Sequence, residues 1–549
     1  MRWNILESTI PQSENELRNI LIKTRGLEKK DELFFSPLNP TKISIQEVGL
    51  DAGQLKKAVK RILKAIEKKE KVVIFGDYDA DGVCATAILW QALYKMGCQV
   101  IPFIPLREKH GYGLSDKALD DLLAKDKPDL IITVDNGIVA HKSAQRVLDA
   151  GIDLIITDHH QPEDKLPSAV AVVHSTQLCG ATVSWMFARE ISKSAGYKIA
   201  KDWQLDLTAI ATIADQVPLR DANRSFAKFG LEALRKSKRV GFKALLTHAG
   251  LNQNNIDSQS VGFGIAPRIN AMGRLGHSLD ALRLLLTNNK SKAEQLAQVL
   301  SETNIARQDM TYEMYGHALS QSENWKQEHI IIVHCDKYHE GVVGLIAGRL
   351  MEQFYKPVIV ISVGDGIGKA SARSVPGVNI VELIREVRDD LLDVGGHPMA
   401  AGFGLEASKL DRVITRLKKL AKETIDKELL KPSINVEVVI PFLLINEKTV
   451  KMINEFAPFG QGNEEPILGF KNVEVLQVFT MGADNQHLKI VGKGDDGVTP
   501  INFLFWRKGS LREKITLGDK IDVAGVLELN KWNGKKSMQI RVKDVKLNV

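Results

Sequence analysis

Short apolar, β-branched runs recur in the first part of this chain with enough residues between them for a crossover helix, and that spacing commits it to a parallel sheet. The runs are Lys71-Val-Val-Ile-Phe75, Leu130-Ile-Ile-Thr-Val134 and Leu154-Ile-Ile-Thr157. Between them, Val83 to Gly97 is an Ala/Leu-rich helix candidate ending at a glycine, and Val139 to Gly151 is a second, more amphipathic one. In open α/β sheets ligands bind beyond the carboxyl ends of the strands. Each run leads at that end into chemistry-bearing residues: Asp77-Tyr-Asp79-Ala-Asp81-Gly82, Asp135-Asn136-Gly137 and Asp158-His159-His160. Carboxylates and imidazoles delivered to one sheet edge from separate segments are how a fold builds a divalent cation site.

Each cluster also has a plainer reading. Asp77 to Gly82 matches the opening of an EF-hand loop, but position twelve is Ile88 instead of Glu, and a strand precedes it. Asp135-Asn136-Gly137 alone reads as a turn, and Asp158-His159-His160 alone as a helix N-cap with two surface histidines. Three such clusters on consecutive strands argue against coincidence. A fourth acid, Asp215, closes the apolar helical run Ala209 to Ala214 shortly before Pro218. A carboxylate is misplaced at a helix C-terminus, where the macrodipole disfavours negative charge, and a nearby cation resolves the conflict.

These four segments, with Gly76, Val134, Thr157 and Gln216-Val217-Pro218 around them, resemble the motifs of the DHH phosphoesterase superfamily, and within it the RecJ family of single-strand-specific 5′→3′ DNA exonucleases. Pro267-Arg268-Ile-Asn270-Ala-Met-Gly273-Arg274-Leu275, Gly341 to Leu350, Ser371-Ala372-Arg373-Ser374 and Gly395-Gly396-His397 resemble its connector and DHHA1 part. The resemblance implies an α/β fold in which a parallel-sheet DHH domain is joined by a long helix to a smaller α/β DHHA1 domain, with a C-terminal OB-like β-barrel. The expected division is a lead-in over 1–50, packed on the first domain, the DHH domain over 51–277, the connecting helix over 278–325, the DHHA1 domain over 326–430 and the barrel over 433–549.

Oxygen ligands with one or two imidazoles suit Mg²⁺ or Mn²⁺, whereas zinc more often recruits cysteine; the histidine makes Mn²⁺ the first choice. Two such ions about 3.5–4 Å apart can activate a water and stabilise the leaving oxygen of an in-line displacement. By resemblance the ligands are Asp79, Asp81, Asp135, His159 and Asp215, with Asp135 the bridge. Asp77, Asp158 and His160 then act beside them on catalysis, His160 against the scissile phosphate.

In the DHHA1-like part, Ser371 and Arg373 lie in a Gly/Ala/Ser-rich stretch where main-chain N–H groups and a guanidinium fork can cradle a phosphate, and the glycine-rich turn Gly395-Gly396-His397 offers a second close backbone approach. The resemblance adds Arg107, Tyr112, Arg268 and Arg274 at a pocket for the 5′ end, and Gln308, next to Arg307, on the connecting helix. After about Ser433 the pattern changes to short alternating strands, Val436 to Ile440, Val473 to Phe479, His487 to Val491, Ile501 to Trp506, Ile521 to Leu529 and Met538 to Val542, and five or six of that length suggest a small barrel. From Arg507 onward eleven Lys/Arg face five Asp/Glu, and Trp506 and Trp532 beside such charge suit stacking on single strands; Phe503 and Phe505 read as core.

At 549 residues, 44% hydrophobic and 26% charged, the chain has room for three or four well-cored domains. Cys84, Cys98, Cys179 and Cys335 lie far apart without C-x-x-C spacing and read as reduced thiols of a cytoplasmic protein. No apolar run has membrane-spanning length. The sequence departs from the family after His174, where an Asn-Pro and a longer Tyr-Pro insertion are missing, and at Glu340, which stands where a Pro is common. The expected activity is removal of nucleotides from the 5′ end of single-stranded DNA in repair and recombination by a monomer, with a helicase and a single-strand-binding protein as partners. The alternatives are a phosphoesterase of short oligonucleotides or cyclic dinucleotides, whose relatives lack a barrel, and a catalytically silent nucleic-acid-binding scaffold, against which every retained acid and histidine argues.

Overall fold

The computed structural model of the chain describes residues 1–28, 31–494, 500–532 and 535–548, without the side chains of residues 31, 483, 531, 532 and 535. The chain divides into two compact units, one formed by Met1–Arg2, Asn270–His277 and Gln298–Ser433, the other by Trp3–Ile269, Ser278–Ala297 and Ile434–Val549.

The larger unit holds a five-stranded, wholly parallel sheet in the order Gln99–Phe103, Lys71–Phe75, Leu130–Val134, Asp153–Asp158, Ala171–His174. Its central strands are buried along nearly their whole length, which is why they read as continuous apolar runs instead of alternating ones. The crossover helices Ala80–Lys95 and His141–Asp149 occupy the two expected intervals.

The same unit contains the barrel. Strands Leu468–Met481, His487–Lys493, Ile501–Phe505, Lys535–Leu547 and Lys520–Trp532 pair in that order, and the last returns to the first, closing a five-stranded ring. Phe503 and Phe505 are buried inside it. The first of the expected strands, Val436 to Ile440 in the sequence and Ser433–Val439 in the structure, stays outside the ring, joined to Leu468–Met481 on one side and to the N-terminal strand Arg2–Glu7 on the other. The lead-in is therefore not simply packed on the first domain. Leu17, Ile20, Leu21 and Phe34 belong to the barrel's core, because the apolar stripe of helix Glu14–Thr24 finds its matching surface there. The later part also turns to the sheet domain, where Arg189 Nη1 donates to Pro40 O at 3.2 Å and to Ile43 O at 2.6 Å.

The smaller unit has a mixed sheet, Leu391–His397, Ala400–Glu406, Ile367–Arg373, Val358–Gly364 and Ile331–Cys335, of which only the last two are parallel neighbours. The connecting segment, which the sequence from Ser278 to about Leu319 allows as one long helix or two joined ones, is two helices, Ser278–Leu286 and Lys290–Leu319, interrupted at Thr287-Asn288-Asn289. No helix among the described residues is long and apolar enough to cross a membrane.

Candidate functional site

Asp79 caps helix Ala80–Lys95, its carboxylate accepting the Gly82 N–H at 3.0 Å, and that helix start carries Asp81 inward. Asp81 is buried and accepts the N–H groups of Gly180 and Ala181, each at 2.7 Å, so the first turn of helix Gly180–Ser194 aims its unpaired donors at this carboxylate. Two glycines make the crowding possible. A Cβ on Gly180 would stand 2.4 Å from Asp135 Oδ1, and one on Gly82 2.6 Å from Asp77 Cβ.

Asp135 follows its strand with φ +64°, a left-handed conformation uncommon for a residue with a side chain, pinned by its N–H to Thr157 O at 3.0 Å. Its Oδ1 is buried and has no hydrogen-bond partner among the described residues. His159 stands at the centre: Nε2 lies 3.2 Å from Asp135 Oδ1 and 3.7 Å from Asp81 Oδ2, and Nδ1 lies 3.8 Å from Asp215 Oδ2. Asp215 is the C-cap of helix Leu205–Ala214. Among the described residues three candidate ligand groups emerge, Asp81 with His159 and Asp215, Asp135 with His159 and His160, and Asp77 with Asp79 and Asp135, each with its candidate atoms within 4.8 Å of one another. Asp135 and His159 are each shared by two of them.

Burial sets the protonation of this cluster. It pushes Asp81 up to about 7 and, with Asp81 and Asp79 adding like charge, Asp215 up to about 9; Asp77 and Asp135 rise for the same reasons. Burial also lowers His159 to about 4, leaving a neutral imidazole with a lone pair to give. An orphaned carboxylate oxygen, several acids held upward by mutual repulsion and a neutral imidazole fit a divalent cation.

Asp158 behaves oppositely. Although buried, it is held below the usual carboxylate range by hydrogen bonding, accepting N–H groups of Ile138, His159 and His160 and the His160 ring at 2.7 Å. Against the effect of burial, Asp158 raises His160 to about 9, so this ring is an imidazolium at neutral pH. His160 Nε2 meets the Tyr112 hydroxyl at 3.1 Å, Tyr112 packs edge-on to Tyr78, and Arg107 lies over the Tyr78 ring at 5.5 Å. Arg107 and Tyr112 thus join the site in one aromatic chain. Arg268, on helix Ala266–Leu275, donates to Gly264 O at 2.6 Å.

Within the smaller unit, Ser371, Gly402 and Gly395 form one cross-strand row, and Arg373, Ala400 and His397 the next on the same face. Arg373 Nη1 donates to Ser371 Oγ at 3.2 Å, and a Cβ on Gly344, in the first turn of helix Val343–Phe354, would lie 2.9 Å from Ser371 Oγ and 3.1 Å from Arg373 Nη2. Gly395-Gly396-His397 is a strand end and not a turn. The close antiparallel pairing needs glycine at Gly396, where φ is +135° and a Cβ would stand 2.4 Å from Ala400 O, whereas a Cβ on Gly395 would meet nothing within 4 Å. Arg274 Nη1 donates to Gly341 O at 2.7 Å, while Gln308 is exposed on helix Lys290–Leu319.

On the barrel, Phe479 and Lys489 are paired across strands, Leu504 continues their row, and half-exposed Trp506 packs edge-on to His487. The side chain of Trp532 lies outside the described residues.

Three family models match in chain order: the DHH family, N-terminal domain, over 71–212, the DHHA1 domain over 327–423 and the RecJ OB domain over 436–544. The single-stranded-DNA-specific exonuclease RecJ of Salmonella typhimurium is 31% identical over 526 residues, covering 89% of this chain and 89% of its own length. The chain belongs to the RecJ family. The RecJ of Bacillus subtilis is 36% identical over 528 residues; the match covers 94% of this chain but 65% of that relative's length. In structure, RecJ of Thermus thermophilus in complex with Mn²⁺ superposes with a TM-score of 0.84 at 28% identity, covering 99% of this chain and 79% of that one, and its Mg²⁺ complex with 0.78 at 27%.

Sequence reasoning missed the main-chain donors Gly180 and Ala181 that hold Asp81, and His174, whose Nε2 meets His160 O at 2.7 Å. The signal available was the short segment after His174, which runs straight into the helix that starts at Gly180. Glu340 forms an ion pair with Lys369.

Proposed function

We propose that the protein is a single-strand-specific 5′→3′ exodeoxyribonuclease that hydrolyses phosphodiester bonds with two divalent cations, Mn²⁺ ahead of Mg²⁺, in DNA repair and recombination. The observation that carries this reading is the convergence of Asp81, Asp135 and Asp215 on a neutral His159, with an oxygen of Asp135 left without a donor. Asp79, Asp81, Asp135, His159 and Asp215 are the proposed ligands, Asp135 being shared. Bound cations supply an activated water and neutralise charge on the leaving oxygen.

The remaining chemistry belongs to the side chains. Asp158 keeps His160 protonated and oriented, so its Nε2–H, now on the Tyr112 hydroxyl, is available to a phosphate oxygen. Asp77, whose carboxylate accepts the Tyr78 N–H at 2.8 Å, stiffens the loop that carries Asp79 and Asp81. Arg107, Tyr112, Arg268 and Arg274 are assigned to the 5′ end and Gln308 to the strand. Ser371 and Arg373, with the open row at Gly395, Gly396 and His397, are assigned to a phosphate. The domain limits proposed are those expected from the sequence, with the lead-in shared between barrel and sheet domain. The same reading makes the protein a cytoplasmic monomer supplied with single strands by a helicase and a single-strand-binding protein.

With Mn²⁺, the purified protein is expected to shorten single-stranded DNA from its 5′ end and leave blunt duplex intact, read on strands labelled at either end. Faster hydrolysis of a dinucleotide than of a long strand would overturn the assignment in favour of a small-substrate phosphoesterase. For the barrel, Trp506→Ala is expected to weaken metal-free binding of a single strand by about 1–3 kcal/mol, the scale of one lost base-stacking partner. Fluorescence anisotropy at fixed salt measures it, and unchanged affinity would remove Trp506 from the binding surface.

A further inference from the structure

Asp215 reaches the cation cluster from an arm whose far end is gripped by the barrel. Beyond Asp215, Gln216 adopts φ +57° and Pro218 has its φ locked by its ring, so the short arm has little freedom to absorb displacement. Leu219 is buried and its N–H donates to Gln461 O at 2.8 Å. Arg220 Nε donates to Gly462 O at 2.6 Å and its Nη1 to Arg25 O at 3.2 Å. The fit on the barrel side is close: a Cβ on Gly460 would stand 2.7 Å from Leu219 Cδ1, and one on Gly462 3.1 Å from Pro218 Cβ.

The grip continues into the next helix, Asp221–Lys236. Arg224 is 1% exposed, and among the described residues its guanidinium donates only to main-chain carbonyls: Phe34 O at 2.6 Å, Ala457 O at 2.7 Å and Pro458 O at 3.5 Å. It also lies 3.6 Å from the centre of the Phe34 ring. A buried cation without a carboxylate is costly unless its donors are met, so these carbonyls must stay in place. Asn463 stiffens the loop that provides them, its Nδ2 donating to Phe456 O and Pro458 O at 2.9 Å each, and Arg25 Nη1 donates to Asn463 Oδ1 at 2.8 Å. At the other end of the arm, the ion-pair partner of Asp215 within the cluster, among the described residues, is His159 at 3.8 Å.

We propose that the barrel-domain loop from Ala457 to Asn463 is a positioning element for Asp215, so that the barrel tunes the affinity of the cation site. This rests on the reading of Asp215 as a cation ligand. The test compares full-length Gly460→Val, Arg220→Ala, Arg220→Lys and Asp215→Asn with the parent protein, measuring Mn²⁺ binding by calorimetry without DNA and single-strand binding in EDTA. Circular dichroism and melting curves identify the variants that remain folded.

The clasp variants are expected to lose about tenfold or more in Mn²⁺ affinity, the range for removing a group that orients a ligand, with Arg220→Lys losing less than Arg220→Ala and metal-free strand binding unchanged. Folded clasp variants with parental Mn²⁺ affinity overturn the inference while Asp215→Asn still weakens binding. If Asp215→Asn binds Mn²⁺ like the parent, the ligand assignment fails and the inference with it.

Discussion

Asp135→Asn is expected to cut strand hydrolysis by about a thousandfold or more, about 4 kcal/mol of lost barrier reduction, and at the same time to make the metal-free protein harder to melt. The two effects share one cause. Asp135 is buried, has an oxygen without a donor, and sits among Asp77, Asp79, Asp81 and Asp215, all of which add to the electrostatic cost of its charge. Its carboxyl is therefore raised well above the ordinary range, first by burial and then by those neighbours. Asn keeps the shape, removes the charge and supplies N–H donors to the carboxylates around it, so the empty site relaxes; a gain of about 1 kcal/mol or more is expected. A cation placed there needs the anion, and Asn cannot provide it. Initial rates with Mn²⁺ and melting in EDTA at pH 8 measure the two halves. Parental activity would remove Asp135 from the catalyst, and a lower melting temperature in EDTA would mean that Asp135 serves the fold instead of a ligand.

The sheet and its cluster of acids and imidazoles are legible in the sequence because both obey local rules. Lys71–Phe75 and Leu130–Val134 were delimited to the residue, since a strand buried on both faces is an unbroken apolar run that ends where polar chemistry starts. Asp215 was legible because an acid at a helix C-terminus contradicts the macrodipole and calls for a partner. What escaped is what the main chain does. The N–H groups of Gly180 and Ala181 fix Asp81, and every non-proline residue carries such a group, so nothing in the side chains marks them. Gly395 and Gly396 read as a turn because glycine favours turns; their place in a strand follows from pairing with Gly402 and Ala401, a tertiary fact. The lead-in is expected on the first domain, and nothing local names another destination, since Leu17 and Leu21 suit any core of the right shape and meet theirs several hundred residues later in the barrel.

Cation binding at this site is expected to tighten steeply with pH. In the metal-free protein Asp81 titrates at about 7 and Asp215 at about 9, both raised first by burial, while His159, lowered to about 4, is neutral throughout the working range. At pH 6 an entering cation must displace protons from both acids; at pH 8 Asp81 is largely ionised and Asp215 partly so. Taken singly, going from pH 6 to pH 8 favours the ligand form about tenfold for Asp81 and up to about a hundredfold for Asp215, because each must lose its proton to coordinate. The sign for stability follows from the same shifts. A carboxyl whose folded pKa lies above its unfolded value contributes stability that is fully present below about 4 and is lost as pH rises through about 7 for Asp81 and about 9 for Asp215. Metal-free protein is thus expected to soften between pH 6 and pH 8 as the cluster gains charge, whereas Mn²⁺-loaded protein gains from that charge, each tenfold in affinity adding about 1.4 kcal/mol at saturating Mn²⁺. Melting curves with saturating Mn²⁺ and with EDTA, recorded at pH 6, 7 and 8, should show the gap between the two states widening with pH. A constant gap, or one widest at pH 6, would mean that Asp81 and Asp215 keep their protons when Mn²⁺ binds, and the cation would then have to be held by other groups.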